Sequence, residues 1–156
     1  MGKPDKIEVI WVRPECTPEV IEIDNDLESM QKLVGGNIEE VLTYADGVVL
    51  IANEESKFWN LPFNRAVYDS DDYIDDIIHG PFFLCYGPVD STEYLSVPEN
   101  LKEKHIEEFK DIEKYEINET SGMMTIYNAL GKFRAILWDS RLESPYYRAL
   151  KSQKSE

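Results

Sequence analysis

The chain has 156 residues, 42% of them hydrophobic and 12% aromatic, and its 31 acidic and 16 basic side chains give a formal net charge of −15. This length and composition suit one hydrophobic core and argue against wholesale disorder. The negative field repels nucleic-acid phosphates and membrane headgroups, so we expect no direct binding to either and an attraction to basic protein surfaces or cationic ligands.

The first segments predict a β-hairpin followed by a short helix. Residues 7–12 (IEVIWV) and 20–23 (VIEI) are rich in β-branched side chains and flank a proline-containing turn, which indicates paired strands. Apolar side chains then recur at helical spacing over residues 27–34, after candidate caps at residues 24–26. Gly35 and Gly36 follow, and we interpret them as the end of this helix and not as a phosphate-binding loop.

A second hairpin is predicted directly after the glycines. Residues 38–44 and 48–52 are apolar runs separated by Ala-Asp-Gly, and Asp-Gly between such runs is typical of a tight hairpin turn. Residues 53–55 therefore emerge where a strand ends, a common location for binding residues. Residues 64–67 are expected to add a helical turn.

The next segments predict a loop, a buried strand and a second helix. Residues 69–76 contain five aspartates and are expected to form a loop, whereas residues 82–86 (FFLCY) have the continuous apolar character of a buried strand. Ser96 is a candidate helix cap with Glu99 three positions later, and the apolar spacing that follows indicates an amphipathic helix near residues 98–114.

The last third leaves two structures open. Residues 124–128 and 133–138 fit either a hairpin or a broken helix, because periodicity does not decide short apolar runs. From Ser152 the tail is expected to be frayed. Together the elements predict an α+β fold: a single domain with a mixed or antiparallel sheet, a short helix after the second strand and a longer amphipathic helix near residues 98–114.

One cluster has the chemistry of a binding site. It combines amide groups, carboxylates, cations and the aromatic faces of Phe58 and Trp59, which together suit recognition of a heterocycle, ribose or phosphate. A tight loop braced by the same polar groups is the alternative, and the sequence leaves both open. The candidate ligand-binding residues are Asn53, Glu54, Glu55, Lys57, Asn64 and Arg65.

A second candidate surface is the acidic stretch. Its carboxylates suit a contact with a basic protein, or a solvated loop with no partner. A calcium-binding EF-hand is excluded, because a loop that begins at Asp69 places Ile74 at the glycine position and Gly80 at the glutamate position. The candidate partner-binding residues are Asp69, Asp71, Asp72, Asp75 and Asp76.

The sequence gives little support for a catalytic site or a metal-binding site. Cys85 lies in an apolar run and is interpreted as a core residue, and Cys16 as a turn residue without a base. With only two histidines, the cysteine pattern is that of a reduced cytoplasmic protein without a zinc site. We therefore predict no enzyme activity, no cofactor, no metal and, because no apolar stretch approaches about 20 residues, no membrane span.

The sequence resembles an uncharacterised family known only as a domain of unknown function, carried by phages, plasmids and other mobile elements of Firmicutes and related bacteria. The resemblance spans residues 7–109, and Ser56 stands where that family usually has glycine. It implies a family-like domain over residues 1–115, with residues 116–156 as an extension packed on it. The residues that carry the resemblance are Leu27, Met30, Gln31, Val34, Gly35, Gly36, Ile38, Glu39, Asn53, Glu54, Glu55, Lys57, Leu61, Pro62, Asn64, Arg65, Gly80, Phe82 and Phe83.

Two functional hypotheses follow. The first is a non-catalytic accessory protein of a phage or mobile element, in the cytoplasm of a bacterial host, that binds a small, nucleotide-like ligand and counters host defence. The second is an acidic inhibitor or DNA mimic that engages a basic nucleic-acid-binding host protein. The resemblance implies the mobile-element setting by analogy and assigns no activity.

Overall fold

Antiparallel strands dominate the computed structural model, which describes residues 4–71, 74–118, 120, 123–128, 133–138 and 147–149. The helices are α1 (Leu27–Val34) and α2 (Glu99–Phe109). The strands are β1 (Lys6–Val12), β2 (Glu19–Asp24), β3 (Ile38–Thr43), β4 (Val48–Asn53), β5 (Phe63–Tyr68), β6 (Ile74–His79), β7 (Phe82–Tyr86), β8 (Lys114–Asn118), β9 (Met123–Tyr127), β10 (Phe133–Trp138) and β11 (Tyr147–Ala149).

The central sheet has five strands in the order β2-β1-β7-β4-β3, each antiparallel to its neighbour. All six residues of β4 are buried, because apolar layers cover both faces of the sheet. Val49 and Ile51 face the layer that contains α1, whereas Val48 and Leu50 face the layer that contains Phe109 of α2. The period-two alternation of a strand thus distributes one continuous apolar run between two cores. The predicted α+β fold is confirmed.

Helix α1 begins and ends as its sequence predicts. The Asp26 side chain accepts a hydrogen bond from the backbone N–H of Ser29 (2.7 Å), which is a helix N-cap. Gly35 has φ of +80° and donates its N–H to Gln31 O (2.8 Å), so it forms the left-handed C-cap.

Helix α2 differs from the prediction at both ends. Ser96 does not cap it: the N-cap is Pro98, and Ser96 Oγ instead accepts from the backbone N–H of Glu8 in β1 (2.9 Å). The helix also ends at Phe109, and residues 114–118 form strand β8. Ile112 fits the helical period of the sequence, but it lies in the connection between α2 and β8, and the chain from Lys114 pairs with β9 instead of continuing the helix.

A two-stranded ribbon of β5 and β6 replaces the helical turn predicted for residues 64–67 and the last three residues of the loop predicted for residues 69–76. Arg65 pairs with Ile78 and Ala66 with Ile77 across the ribbon. The prediction of a helical turn was wrong because cross-strand pairing, invisible in a six-residue window, overrides local propensity. Of the predicted loop, Asp75 and Asp76 belong to β6.

The hairpin alternative holds for the last third. β9 pairs antiparallel with β10, β8 pairs with β9, and β10 pairs with β11. Met124 and Ile126 are buried in a third apolar cluster together with Ala66, Ile74 and Ile77 of the ribbon. The predicted turn at residues 129–132 and the predicted fraying from Ser152 lie outside the described residues.

Neither helix in the described parts of the chain has the length and apolar character needed to cross a membrane, and the longer one has 11 residues.

Candidate functional site

Asn53 anchors the loop that joins β4 to β5. Its side chain is buried, with Nδ2 donating to Val34 O at the end of α1 (3.2 Å) and Oδ1 accepting from the backbone N–H of Glu55 (2.8 Å). A Cβ atom on Gly36 would lie 2.8 Å from Asn53 Nδ2, so this close approach requires glycine. Asn53 therefore ties the loop to α1.

Residues 54–62, called the aromatic loop below, form a series of hydrogen-bonded turns. Asn60 adopts the left-handed conformation (φ +54°), which asparagine tolerates better than most residues. At the end of the loop, His79 Nδ1 lies 3.0 Å from Leu61 O. The backbone bonds run from Ser56 N–H to Asn53 O (3.1 Å), from Trp59 N–H to Glu55 O (2.9 Å), from Asn60 N–H to Lys57 O (3.1 Å) and from Leu61 N–H to Ser56 O (3.0 Å).

The aromatic loop carries Phe58 and Trp59 on its outside. Phe58 is 80% exposed and Trp59 is 63% exposed, and their rings meet edge to face with centroids 5.4 Å apart. Glu54 and Glu55, at the start of the same loop, are also exposed. The loop therefore presents apolar surface and negative charge side by side.

Asn64 and Arg65 point into the protein. Asn64 is fully buried, and its Nδ2 donates to Val12 O (3.0 Å) and Gly80 O (2.9 Å). Arg65 is 2% exposed and donates to Phe109 O (3.1 Å), Cys16 O (2.7 Å) and Asn64 Oδ1 (2.9 Å). Both side chains brace the fold in this geometry.

A small depression lies beside the aromatic loop. Its volume is about 80 Å³, and its lining includes the carboxylates of Glu39, Glu54 and Asp76. Lys57 also lines it and forms an ion pair with Asp76 (2.5 Å) that connects the loop to β6. Of the six predicted ligand-binding residues, three line the depression and three do not. The residues that line it are Asn53, Glu54 and Lys57, and those outside its lining are Glu55, Asn64 and Arg65.

The acidic stretch is mainly exposed. Asp69, Asp71 and Asp75 are exposed, whereas Asp76 is partly buried by its contacts with Lys57 and with the backbone N–H of Ile77 (2.8 Å). Asp72 lies outside the described residues. The Asp69 side chain accepts from the backbone N–H of Asp71 (2.9 Å), as expected of a turn.

A charged cluster around His105 was not predicted. The buried ring has Nε2 2.8 Å from Asp46 Oδ2 and Nδ1 3.2 Å from Glu108 Oε1. Burial by itself would lower the pKa of His105, but the hydrogen bonds to Glu108 and Asp46 outweigh it and raise the pKa. Asp46 lies 59 residues from His105 in the sequence, so no local pattern indicates the pair.

This cluster joins α2 to the turn between β3 and β4. Both ring nitrogens of His105 face carboxylates, which favours the protonated form of the ring. Lys104 contacts Asp46 as well (2.8 Å). Burial raises the pKa of Asp46, but hydrogen bonds from Lys104, the backbone of Val48 and His105 outweigh it and lower the pKa to about 2.

The cysteines have the environments of structural residues. Cys85 is fully buried in the central sheet, and burial raises the pKa of its thiol to about 12, so it is not a thiolate at neutral pH. Cys16 is half-buried, and its carbonyl accepts the bond from Arg65. Within the residues that the structure describes, no group of three or more His, Cys, Asp or Glu side chains is placed to hold a metal ion.

Comparison with known proteins identifies a family. No curated protein and no solved structure matches the chain significantly. Residues 7–110, which are more than half of the chain, match the family described as Domain of unknown function (DUF3846). This stretch includes the central sheet, both helices and the aromatic loop. The chain therefore belongs to the DUF3846 family.

Proposed function

We propose that this protein is a non-catalytic, acidic binding protein whose partner is a protein with a basic, nucleic-acid-binding surface. The observation that carries the proposal is the exposure of Asp69, Asp71 and Asp75 together near the end of the β5–β6 ribbon. Exposed carboxylates attract a positive protein surface over about 8 Å at physiological ionic strength. The net charge of −15 adds to this attraction and opposes direct binding to nucleic acid.

A small-ligand site at residues 53–65 stays a prediction that we rank second. Asn64 and Arg65, its most specific hydrogen-bonding groups, are engaged by backbone oxygens inside the protein. The depression beside Lys57 has about 80 Å³, whereas small-molecule pockets have roughly 300–1,000 Å³. A nucleotide-like ligand would therefore require the aromatic loop to move.

The resemblance to proteins of phages and plasmids extends the proposal to its biological setting. In that setting the basic partner would be a bacterial host protein that binds nucleic acid in defence against mobile elements. The acidic protein would occupy the surface that the nucleic acid uses and so inhibit it. This extension follows from analogy between families.

Affinity capture from bacterial lysate at low and at high salt tests the proposal. We expect the full chain to retain basic nucleic-acid-binding proteins, identified by mass spectrometry, and to release them when salt or DNA is added. A variant with Asp69→Asn, Asp71→Asn and Asp75→Asn should retain less of them. Capture that is insensitive to both salt and DNA would contradict the proposal.

The matched control removes the same charge elsewhere. Asp90, Glu93 and Glu103 are also exposed, and Asp90→Asn, Glu93→Gln and Glu103→Gln change the net charge equally. If this variant loses the partners as fully as the first one does, the overall negative charge attracts them, and the carboxylates of the ribbon have no specific role. A parallel thermal-shift panel of nucleotides addresses the second hypothesis: a ligand-dependent rise of the unfolding midpoint without any captured protein would favour a small-ligand site.

A further inference from the structure

The aromatic loop exposes two large aromatic side chains to solvent. Among the described residues, the exposed large hydrophobic side chains also include Val20, Leu27 and Val89, but Phe58 and Trp59 are the two that adjoin in sequence and touch each other. Burying aromatic side chains is a major source of interface energy, and tryptophan is enriched among the residues that dominate binding. An exposed pair of this kind marks an interaction surface.

The loop is also preorganised. Four backbone hydrogen bonds within residues 53–61 define its turns, and the Asn53 side chain fixes its start to the end of α1. Lys57 connects it to Asp76 of β6. Because the backbone is already ordered, a partner that covers Phe58 and Trp59 loses little entropy in ordering the loop.

The charges around Phe58 and Trp59 indicate which chemical group would bind there. Glu54 and Glu55 are exposed in the same loop. Glu54 also lines the depression, together with Glu39 and Asp76, and Lys57 forms an ion pair with Asp76. This environment repels phosphates of nucleic acids and anionic lipid surfaces. An arginine side chain suits both the aromatic rings and the carboxylates, because its planar guanidinium stacks on aromatic rings and donates paired hydrogen bonds to carboxylates.

We propose that Phe58 and Trp59 form the docking surface for an arginine-bearing segment of the basic protein partner. The aromatic rings cover the guanidinium and the aliphatic stem of the arginine, and the carboxylates of Glu54 and Glu55 accept its N–H groups. The depression of about 80 Å³, whose lining includes Glu54 but neither aromatic ring, is smaller than a nucleotide requires. This inference rests on the proposed function and adds the place and chemistry of the contact.

Titration of the isotope-labelled full chain with a synthetic peptide, followed by NMR, tests the inference. The probe is a capped peptide of glycine, serine and arginine, and its control has citrulline in place of arginine, which removes the charge and keeps the shape. We expect saturable shifts of the Trp59 indole N–H and of the Phe58 and Glu55 amides with the arginine peptide. The citrulline peptide should shift them far less.

The matched variants are Phe58→Ser with Trp59→Ser, and Val89→Ser as the control. Both sets replace exposed side chains, so each variant should fold, which its thermal unfolding checks. We expect the aromatic double variant to weaken arginine-peptide binding by about tenfold or more, as loss of a dominant interface residue does. Val89→Ser should bind as the natural sequence does, because Val89 lies in the loop after β7.

Each of the following results would overturn the inference. Equal binding of the citrulline peptide would remove the role of the charge, and unchanged binding by the double variant would remove the role of the aromatic pair. Self-association that the double variant abolishes, seen by sedimentation, would assign the surface to a second copy of this chain. If the peptide shifts only residues 69–75, this docking surface fails and the proposed function stands; if neither peptide nor basic protein binds, the proposed function fails as well.

Discussion

At the residue scale, Arg65 shows how a side chain with binding chemistry can serve the fold. It donates to the last carbonyl of α2, to Cys16 O after β1 and to Asn64 in β5, so three separate segments meet at one guanidinium. A cation at the C-terminus of a helix is also favoured by the helix dipole. Burial lowers the pKa of Arg65, the carboxylate of Glu113 opposes this shift, and the group stays charged.

Replacing Arg65 by methionine should lower the free energy of unfolding by about 3 kcal/mol, because buried carbonyls lose charged donors. Arg13→Met is the matched control: Arg13 is partly exposed and pairs with Glu19, so its loss should cost less than about 1 kcal/mol. Urea unfolding measures both. A stable Arg65→Met variant would show that the interior does not depend on this residue and would return it to the candidates for ligand binding.

His105 should make stability depend on pH. Its folded-state pKa is raised, so its contribution is complete below the unfolded-state value of about 6.5 and is lost as the pH rises through the folded-state value. We expect the natural chain to lose stability over this interval and His105→Gln to lose much less. The measurement is the free energy of unfolding in urea as a function of pH. Identical pH profiles for the two proteins would contradict this.

His79 serves as a control, because its pKa shift should make stability change with pH in the opposite direction. Burial lowers its pKa, and the contact with Leu61 O only partly offsets this. Because the unfolded chain then binds more protons, stability should fall as the pH decreases from about 6.5 through the lowered folded-state value. His79→Gln should reduce the loss on the acid side and leave the alkaline side unchanged.

At the scale of elements, local chemistry determines the starts and ends that were predicted well. Asp26 and Gly35 bracket α1 through hydrogen bonds within a few residues, and Asp46-Gly47 closes the β3–β4 hairpin in the same local way, with the Asp46 side chain accepting from Val48 N–H (2.9 Å). Ser96 has the same capping chemistry, but the free N–H of Glu8 on a distant strand takes its oxygen. Capping predictions fail where a tertiary partner competes.

Gly35 and Gly80 both have positive φ but differ in the space around them, so alanine should destabilise the two positions to different extents. Gly35 has open space around a Cβ position, so Gly35→Ala should lower stability by only about 1 kcal/mol of left-handed strain. A Cβ on Gly80, between β6 and β7, would lie 2.7 Å from Leu61 Cδ1 and 3.2 Å from Leu61 Cβ, so Gly80→Ala should cost at least about twice as much. Thermal unfolding compares them.

Leu61→Ala in the Gly80→Ala background identifies the cause of the larger loss. Removing the contacting Cδ1 atom should recover part of the stability, whereas the left-handed strain at Gly80 remains. If the two changes are simply additive, the contact with Leu61 is not the source of the strain.

At the scale of the whole molecule, the hydrophobic core extends beyond the residues that match the family. The match ends at residue 110, but the third apolar cluster joins Met124 and Ile126 to Ala66, Ile74 and Ile77 of the ribbon. β8 (Lys114–Asn118) also crosses the predicted domain boundary at residue 115 and pairs with β9. The division into residues 1–115 and 116–156 stays a prediction.

A chain that ends at Tyr115 should therefore be strongly destabilised. Loss of buried Met124 and Ile126 alone removes about 3–6 kcal/mol of apolar burial, which is a large part of the stability of a typical domain. A chain that ends at Lys151 is the control and should unfold like the full chain. Equal thermal midpoints for all three chains would show instead that residues 1–115 fold independently.

The sequence by itself determined the α+β class, both N-terminal hairpins, α1 with its caps and the buried strand β7, because periodicity, turn residues and caps act within a few positions. Only the tertiary structure decided the ribbon of β5 and β6, the end of α2 and the hairpin of β9 and β10, since pairing between neighbouring strands, which a local apolar period does not reveal, determines them. The same reason applies to the candidate site. Composition marked residues 53–65 as chemically rich, but only the packing directs Asn64 and Arg65 inward and leaves Phe58 and Trp59 in solvent.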